Sequence, residues 1–249
     1  MSDSNETKQI VKSHYDKVAS ESRGCCKCSC GGQDENELIA KSIGYSDQEI
    51  AMAGEANLGL GCGNPTALGK IKEGETVLDL GSGAGFDCFL AVRKVGPIGK
   101  VIGVDMSEAM VAKAQANALK SGFNNVEFKL GDIEKLPIDD QSVDVIISNC
   151  VVNLAPDKSK VFKEAYRVLK TGGRMYLSDI VLLGELTEAQ KSDETLIAGC
   201  VGGALQKDDY IKTIQEAGFQ VNILSEDKDI SKRQYQGIAL ESLKIEAVK

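Results

Sequence analysis

The stretch Thr76-Val-Leu-Asp-Leu80 runs straight into Gly81-Ser-Gly83-Ala-Gly85, and Phe86 to Val95 then reads as a helix. A short buried strand that turns over three glycines into a helix constrains this chain more than any other segment, because it is the opening half of a strand–helix–strand unit. Glycines at alternate positions permit a tight turn and a close backbone approach to a ligand. The next strand, Val101-Ile-Gly-Val-Asp105, ends on an acid. That acid lies about 20 residues past the turn, where nucleotide-binding sheets place a carboxylate on a ribose hydroxyl pair.

The alternation continues. Ser107 caps a helix with Met110, Val111, Ala114, Ala118 and Leu119 on one face, and Gly122 ends it. Val126–Leu130 and Ser142–Ser148 read as strands, Lys158–Lys170 as a helix stopped by Gly172-Gly173, and Arg174–Ser178 as the start of a fifth parallel strand. Two late segments, 219–224 and 236–248, could add an antiparallel edge. The expected fold is α/β, a doubly wound, mostly parallel seven-stranded sheet with helices on both faces. Before it, residues 5–20 and 35–43 look helical, residues 24–32 are loop by composition, and residues 44–70 are glycine-rich with little periodicity. Residues 1–70 are therefore expected to form an N-terminal helical and loop extension packing on a main domain of residues 71–249.

Composition narrows the function classes. A chain of 249 residues with 42% hydrophobic residues can bury a large core without disulfides. Its formal net charge of -8, with no Lys/Arg block, argues against nucleic-acid and anionic-membrane partners. No apolar run reaches the length of a membrane span, and the first residues are polar, so the expected compartment is the cytoplasm. Eight cysteines in a reducing compartment then point to thiol or metal chemistry. Three of them stand far apart, in Gly61-Cys62-Gly63-Asn64-Pro65, Ser148-Asn149-Cys150-Val151 and Gly199-Cys200-Val201. Cys150 directly follows the fourth strand, and in open parallel sheets ligands bind beyond the carboxyl ends of the strands. Four more crowd into Cys25-Cys26-Lys27-Cys28-Ser29-Cys30. Each isolated cysteine has a plainer reading as a small buried hydrophobe. The crowded cluster could instead be a metal-binding module.

The spacing Asp79-Leu-Gly81-Ser-Gly83-Ala-Gly85 resembles the first motif of the class I, Rossmann-like S-adenosylmethionine-dependent methyltransferases. Asp132, in Gly131-Asp132-Ile133, matches the acid such enzymes place beside the adenine. The resemblance implies S-adenosylmethionine as cofactor, held by Asp79, Gly81, Ser82, Gly83, Gly85, Asp105, Met106, Asp132, Ile133 and Asn149. The thiol segments, together with Pro156-Asp-Lys158 and Leu177-Ser-Asp-Ile180, extend the likeness to the arsenite methyltransferases over most of residues 10–205. By that resemblance Cys62, Cys150 and Cys200 ligate trivalent arsenic as substrate, and a thiol of the Cys25–Cys26 pair takes part near the N-terminus. Arsenite and methylated trivalent arsenicals would be the substrates, with a thiol reductant (thioredoxin or a small thiol) as co-substrate. Longer members of the family carry an extra C-terminal domain, which is not expected in this sequence. Cys88 reads as buried packing, and His14, the one histidine, as a solvated residue of the first helix. A quinone or other small-molecule C- or O-methyltransferase is the competing enzyme reading, since fold does not settle substrate.

Overall fold

The computed structural model describes residues 2–20 and 35–249, so Cys25, Cys26, Cys28 and Cys30 lie outside the described residues. Helices α1 (Ser2–Ser20), α2 (Glu35–Ser42), α3 (Asp47–Ala53) and α4 (Pro65–Leu68) precede the sheet. Then β1 (Thr76–Leu80), α5 (Phe86–Val95), β2 (Lys100–Asp105), α6 (Glu108–Ser121), β3 (Val126–Leu130) and β4 (Val143–Asn149) alternate. The chain continues as α7 (Lys158–Val168), β5 (Leu169–Leu182), α8 (Glu188–Lys191), α9 (Glu194–Ala198), α10 (Lys207–Glu216), β6 (Gln220–Asp227), α11 (Ile230–Gln234) and β7 (Leu240–Val248).

The seven strands lie in the order β3-β2-β1-β4-β5-β7-β6. All pairs are parallel except those of β7, which runs antiparallel to β5 and β6. Strands β1 to β3 step outward in one direction and β4 returns to the other side of β1. The switch point therefore falls between β1 and β4, where such sheets leave a crevice beyond their carboxyl ends. The glycine turn follows β1 and Cys150 follows β4, so both emerge at that crevice.

Because a parallel sheet is covered on both faces, its central strands are apolar throughout. Along β4, Val145 and Ile147 enter one core and Ile146 the other, as the two-residue period of a strand requires. A third apolar cluster sits at the crevice end and contains Cys62, Cys150 and Cys200 together with Val11, Ile43 and Tyr45 of the N-terminal segment. Helix α1 is pinned over this end. Lys8 pairs with Asp132 and Glu134 at 2.7 and 2.6 Å, Ser107 Oγ donates to Asp16, and Tyr15 donates to the Ala198 carbonyl at 3.2 Å.

Three local expectations change. Leu119 is 85% exposed, although the helix face was expected to bury it. Ala114 and Ala118 set the inward face of α6, and the next residue after Ala118 is turned about 100° away from it. Residues 169 and 170 belong to β5 rather than to the preceding helix. The glycine-rich stretch 44–70 holds two helices whose starts are capped by side chains, Ser46 with Glu49 at α3 and Asn64 at α4.

Candidate functional site

A cavity of about 530 Å³ opens at the crevice between the ends of β1, β2 and β4 and the N-terminal helices. Of the residues expected from sequence to hold a cofactor, Asp79, Gly81, Ser82, Gly83, Asp105, Met106, Asp132, Ile133 and Asn149 all line it. Gly85 is set back, where a Cβ would come within 2.8 Å of Phe89 and 3.0 Å of Phe128. Gly81 has φ +68, and a Cβ there would sit 2.3 Å from Val151, so the turn admits only glycine.

The turn is tied to the next strand by its own backbone. Gly83 N donates to Asp105 Oδ2 at 2.9 Å and Ser107 N to Asp105 Oδ1 at 2.9 Å. Burial raises the Asp105 carboxyl above its ordinary range, and these backbone donors partly restore the charged form. Gly83 itself has φ +51 and nothing within 4 Å of where its Cβ would be. A bare backbone facing open cavity beside a carboxylate is a cradle that fits a nucleoside with a free ribose. Asp79, behind the turn, accepts from Cys88 Sγ at 3.2 Å, and burial beside Asp87 pushes its carboxyl well up. Cys88 is fully buried, as expected of a packing residue.

The thiols reach the same place by other routes. Cys150 and Cys200 line the cavity, and Cys62 stands one step behind its wall, 1% exposed. Cys150 takes φ +60 and Cys200 φ +68, the left-handed region that non-glycine residues avoid. Cys150 N donates to Ser178 O at 2.8 Å, and Cys200 Sγ donates to the Cys150 carbonyl. Cys62 Sγ donates to Ser178 O at 3.3 Å. Burial is the main force raising the Cys62 and Cys150 thiols, whereas at Cys200 the hydrogen-bonding contact with Cys150 leads and burial adds to it. Each shift favours the protonated thiol in this resting arrangement.

Asn149 knits the Cys62 loop to the end of β4. Its Oδ1 accepts from Cys62 N at 3.0 Å, and its Nδ2 donates to Gly63 O at 2.8 Å and to Tyr45 Oη at 3.0 Å. A Cβ at Gly61 would fall 2.7 Å from this amide. Tyr45 in turn donates to Asp87 at 2.7 Å, whose carboxyl burial lifts to about 6. Sequence reasoning gave no role to Tyr45, Asp87 or Asp179. Asp179 stood inside a segment that carried the resemblance, but only the fold brings it to Cys62 and Cys150, and only the fold brings Asp87 to Tyr45 and Asn149. His14 is exposed at the rim of the cavity, stacked edge-on to Tyr15.

A family model described as Methyltransferase domain matches residues 71–218. The chain belongs to that family. It is 47% identical over 228 residues to an arsenite methyltransferase of Halobacterium salinarum, covering 88% of this chain and 58% of that protein. With an arsenite methyltransferase of Aquipseudomonas alcaligenes the identity is 43% over 178 residues, covering 69% of this chain and 51% of the relative. Family membership therefore rests on the shared domain, and the chain spans little more than half the length of these two relatives. A solved arsenic(III) S-adenosylmethionine methyltransferase from Chlamydomonas reinhardtii superposes with a TM-score of 0.67 at 31% identity, covering 88% of this chain and 74% of that one. No helix among the described residues is long and apolar enough to cross a membrane.

Proposed function

We propose that this chain moves the methyl group of S-adenosylmethionine to trivalent arsenic held by Cys62, Cys150 and Cys200, with residues 71–249 as the methyltransferase domain and residues 1–70 as an N-terminal extension packing on it. The observation that carries the reading is that three buried thiols from three separate segments share one apolar cluster, with Cys150 and Cys200 lining the cavity that also holds the Gly81 turn and Asp105. The cofactor, when bound, supplies an electrophilic methyl group on sulfur. Asp105 would accept the two ribose hydroxyls, and the bare backbone of Gly83 would let the nucleoside seat against it.

Arsenite carries three hydroxyls, and trivalent arsenic is a soft centre that prefers sulfur. Each thiol proton leaves with one arsenic hydroxyl as water, so capture by three protonated thiols consumes no base. That balance agrees with thiols raised by burial and, at Cys200, first by the contact with Cys150. Three As–S bonds leave a lone pair on arsenic. Holding that lone pair in line with the methyl group is the contribution of Cys150, Cys200 and the Asn149-tethered Cys62 loop, and positioning alone can supply effective molarities of about 10⁵–10⁸ M. The transfer formally oxidises arsenic by two electrons. Two cysteine sulfurs return them by joining as a disulfide, and we assign Cys25 or Cys26 as one of the pair. An external thiol reductant, thioredoxin or a small thiol, then restores both. Such chemistry belongs in the reducing cytoplasm.

The test is direct. The purified chain, arsenite, S-adenosylmethionine and a thiol should yield methylated arsenicals, separated by chromatography with arsenic-specific detection. Absence of product, with cofactor binding intact, would reject arsenic as the substrate.

A further inference from the structure

We propose that Cys62, Cys150 and Asp179 form a three-ligand site for a thiophilic divalent cation of the zinc type, sharing two thiols with the proposed arsenic site and replacing Cys200 by a carboxylate. One ligand atom from each of the three residues lies within 4.8 Å of the other two, and all three residues are buried. Asp179 is 1% exposed. Its Oδ2 accepts from Tyr210 at 2.6 Å, while its Oδ1 is buried with no hydrogen-bond partner. An orphaned carboxylate oxygen is costly in a protein interior. The cation nearby does not relieve it, because Lys158 Nζ donates to the carbonyls of Ala155 and Asn153, at 3.1 and 3.4 Å.

A divalent ion answers that vacancy in the bonding. Zinc-type ions take thiolate sulfur and carboxylate oxygen together, with three protein ligands and a fourth position left open. Bonds of about 2.3 Å to sulfur and about 2.1 Å to oxygen would draw the three atoms together by on the order of 1 Å. Tyr210, hydrogen-bonded to the far oxygen, orients the carboxylate in the way outer partners orient metal ligands. Each thiol gives its proton to the buffer as its metal bond forms, and no electrons move. Cys200 stands outside the set, its Sγ turned to the Cys150 carbonyl. Trivalent arsenic with three sulfurs has no place for a carboxylate, so the two occupants differ in their third ligand. The cation site does not depend on the arsenic reading; only the competition between them does.

The experiment uses the full chain with Cys25, Cys26, Cys28 and Cys30 changed to Ser, so that the crowded cluster takes no metal. Co²⁺ serves as the probe, because four-coordinate cobalt with thiolate ligands gives intense visible bands and zinc displaces it. One cobalt per chain is expected. Asp179→Asn and Cys62→Ser should each weaken cobalt binding about 10-fold or more, and Cys200→Ser should leave it unchanged. Arsenite retained after gel filtration should show the reverse order, falling in Cys200→Ser and persisting in Asp179→Asn. No cobalt binding by the starting chain overturns the proposal. So does unchanged cobalt affinity in Asp179→Asn, or a loss in Cys200→Ser equal to that in Asp179→Asn. Should Asp179→Asn fail to fold, the opposed behaviour of Cys62→Ser and Cys200→Ser toward cobalt still decides. If cobalt behaves as expected while no variant changes arsenite retention, the arsenic reading fails and the cation site stands.

Discussion

The two halves of the cavity are built by opposite means. The turn half, from Asp79 to Asp105, is made by one strand–turn–helix–strand run of consecutive chain. Its hydrogen bonds are already closed in the resting structure, Gly83 and Ser107 both donating to Asp105. The thiol half is gathered from residues 62, 150 and 200, which nothing local relates. Two of its members sit in left-handed backbone, and all three thiols are raised, Cys62 and Cys150 chiefly by burial and Cys200 chiefly by its contact with Cys150. A half assembled by local geometry is pre-organised. A half assembled by tertiary packing is strained, and under the proposed function its thiols change partners when substrate binds. The contrast says where each kind of substitution should act.

The largest effect is expected in the thiol half. Cys150→Ser and Cys200→Ser should lower methylation of both arsenite and a monomethyl trivalent arsenical by about 100-fold or more, the scale of losing an interaction made at the reacting centre. Cys62→Ser should damage arsenite methylation far more, because a monomethyl arsenical has only two exchangeable positions and needs two thiols. Cys62 lies one step behind the cavity wall and Cys150 and Cys200 on it, which suits that division. Rates with both substrates, with thermal melts to control for folding, check this. Equal losses on both substrates in Cys62→Ser would mean that the cysteine only packs.

In the turn half, Asp105→Ala removes the acceptor proposed for two ribose hydroxyls. It should cost about 1.5–3 kcal/mol of cofactor binding, read by calorimetry, with the cysteine thiols still countable by titration. If cofactor affinity is untouched, the turn is scaffold and not a cradle.

These two tests also mark what the sequence discloses. The build of the turn half was legible, Gly85's set-back position apart, because a two-residue strand period, alternating glycines and an acid about 20 residues on are local signals. The fold followed from the same alternation, down to the helix 86–95 and the strand 126–130. The thiol half was legible only through likeness to a family, since nothing in the residues around 62, 150 and 200 says that they meet. Asp87, Asp179 and Tyr45 were invisible for the same reason, because their partners lie 62, 31 and 42 positions away. Leu119 was misplaced because its place in an apolar pattern does not reveal that the inward face set by Ala114 and Ala118 turns it outward.

The seam between the halves, Tyr45–Asp87–Asn149, should show itself in pH. Burial raises the Asp87 carboxyl from its ordinary value to about 6, ahead of the opposing hydrogen bonds from Tyr45 and Asn149. A carboxyl raised in the folded state favours folding fully below its unfolded pKa of about 3.9. That contribution is lost as pH rises through about 6. Stability attributable to this group should therefore fall between about pH 4 and pH 7, on the order of 1–3 kcal/mol. Asp87→Asn, which cannot ionise, should flatten that part of the profile in denaturant melts taken across the window. A slope unchanged by the substitution would assign it to other buried carboxyls.

The smallest effect tests the strain itself. Cys200 holds φ +68 with its side chain 4% exposed, so two forces compete at one position. At an ordinary site alanine is more stable than glycine by roughly 0.5–1 kcal/mol, because glycine loses more backbone freedom on folding. A buried methyl adds about 0.8 kcal/mol in the same direction. Left-handed backbone opposes both, costing a side-chain-bearing residue roughly 1–2 kcal/mol that glycine escapes. Comparing Cys200→Gly with Cys200→Ala removes the thiol from both proteins and leaves only this balance. The usual advantage of alanine should shrink to within about 1 kcal/mol of zero, a difference of roughly 2–4 °C or less in Tm. Alanine ahead by its full ordinary margin would show a backbone free to relax once the sulfur is gone. The strain would then belong to the Cys200–Cys150 contact and not to the loop that presents it.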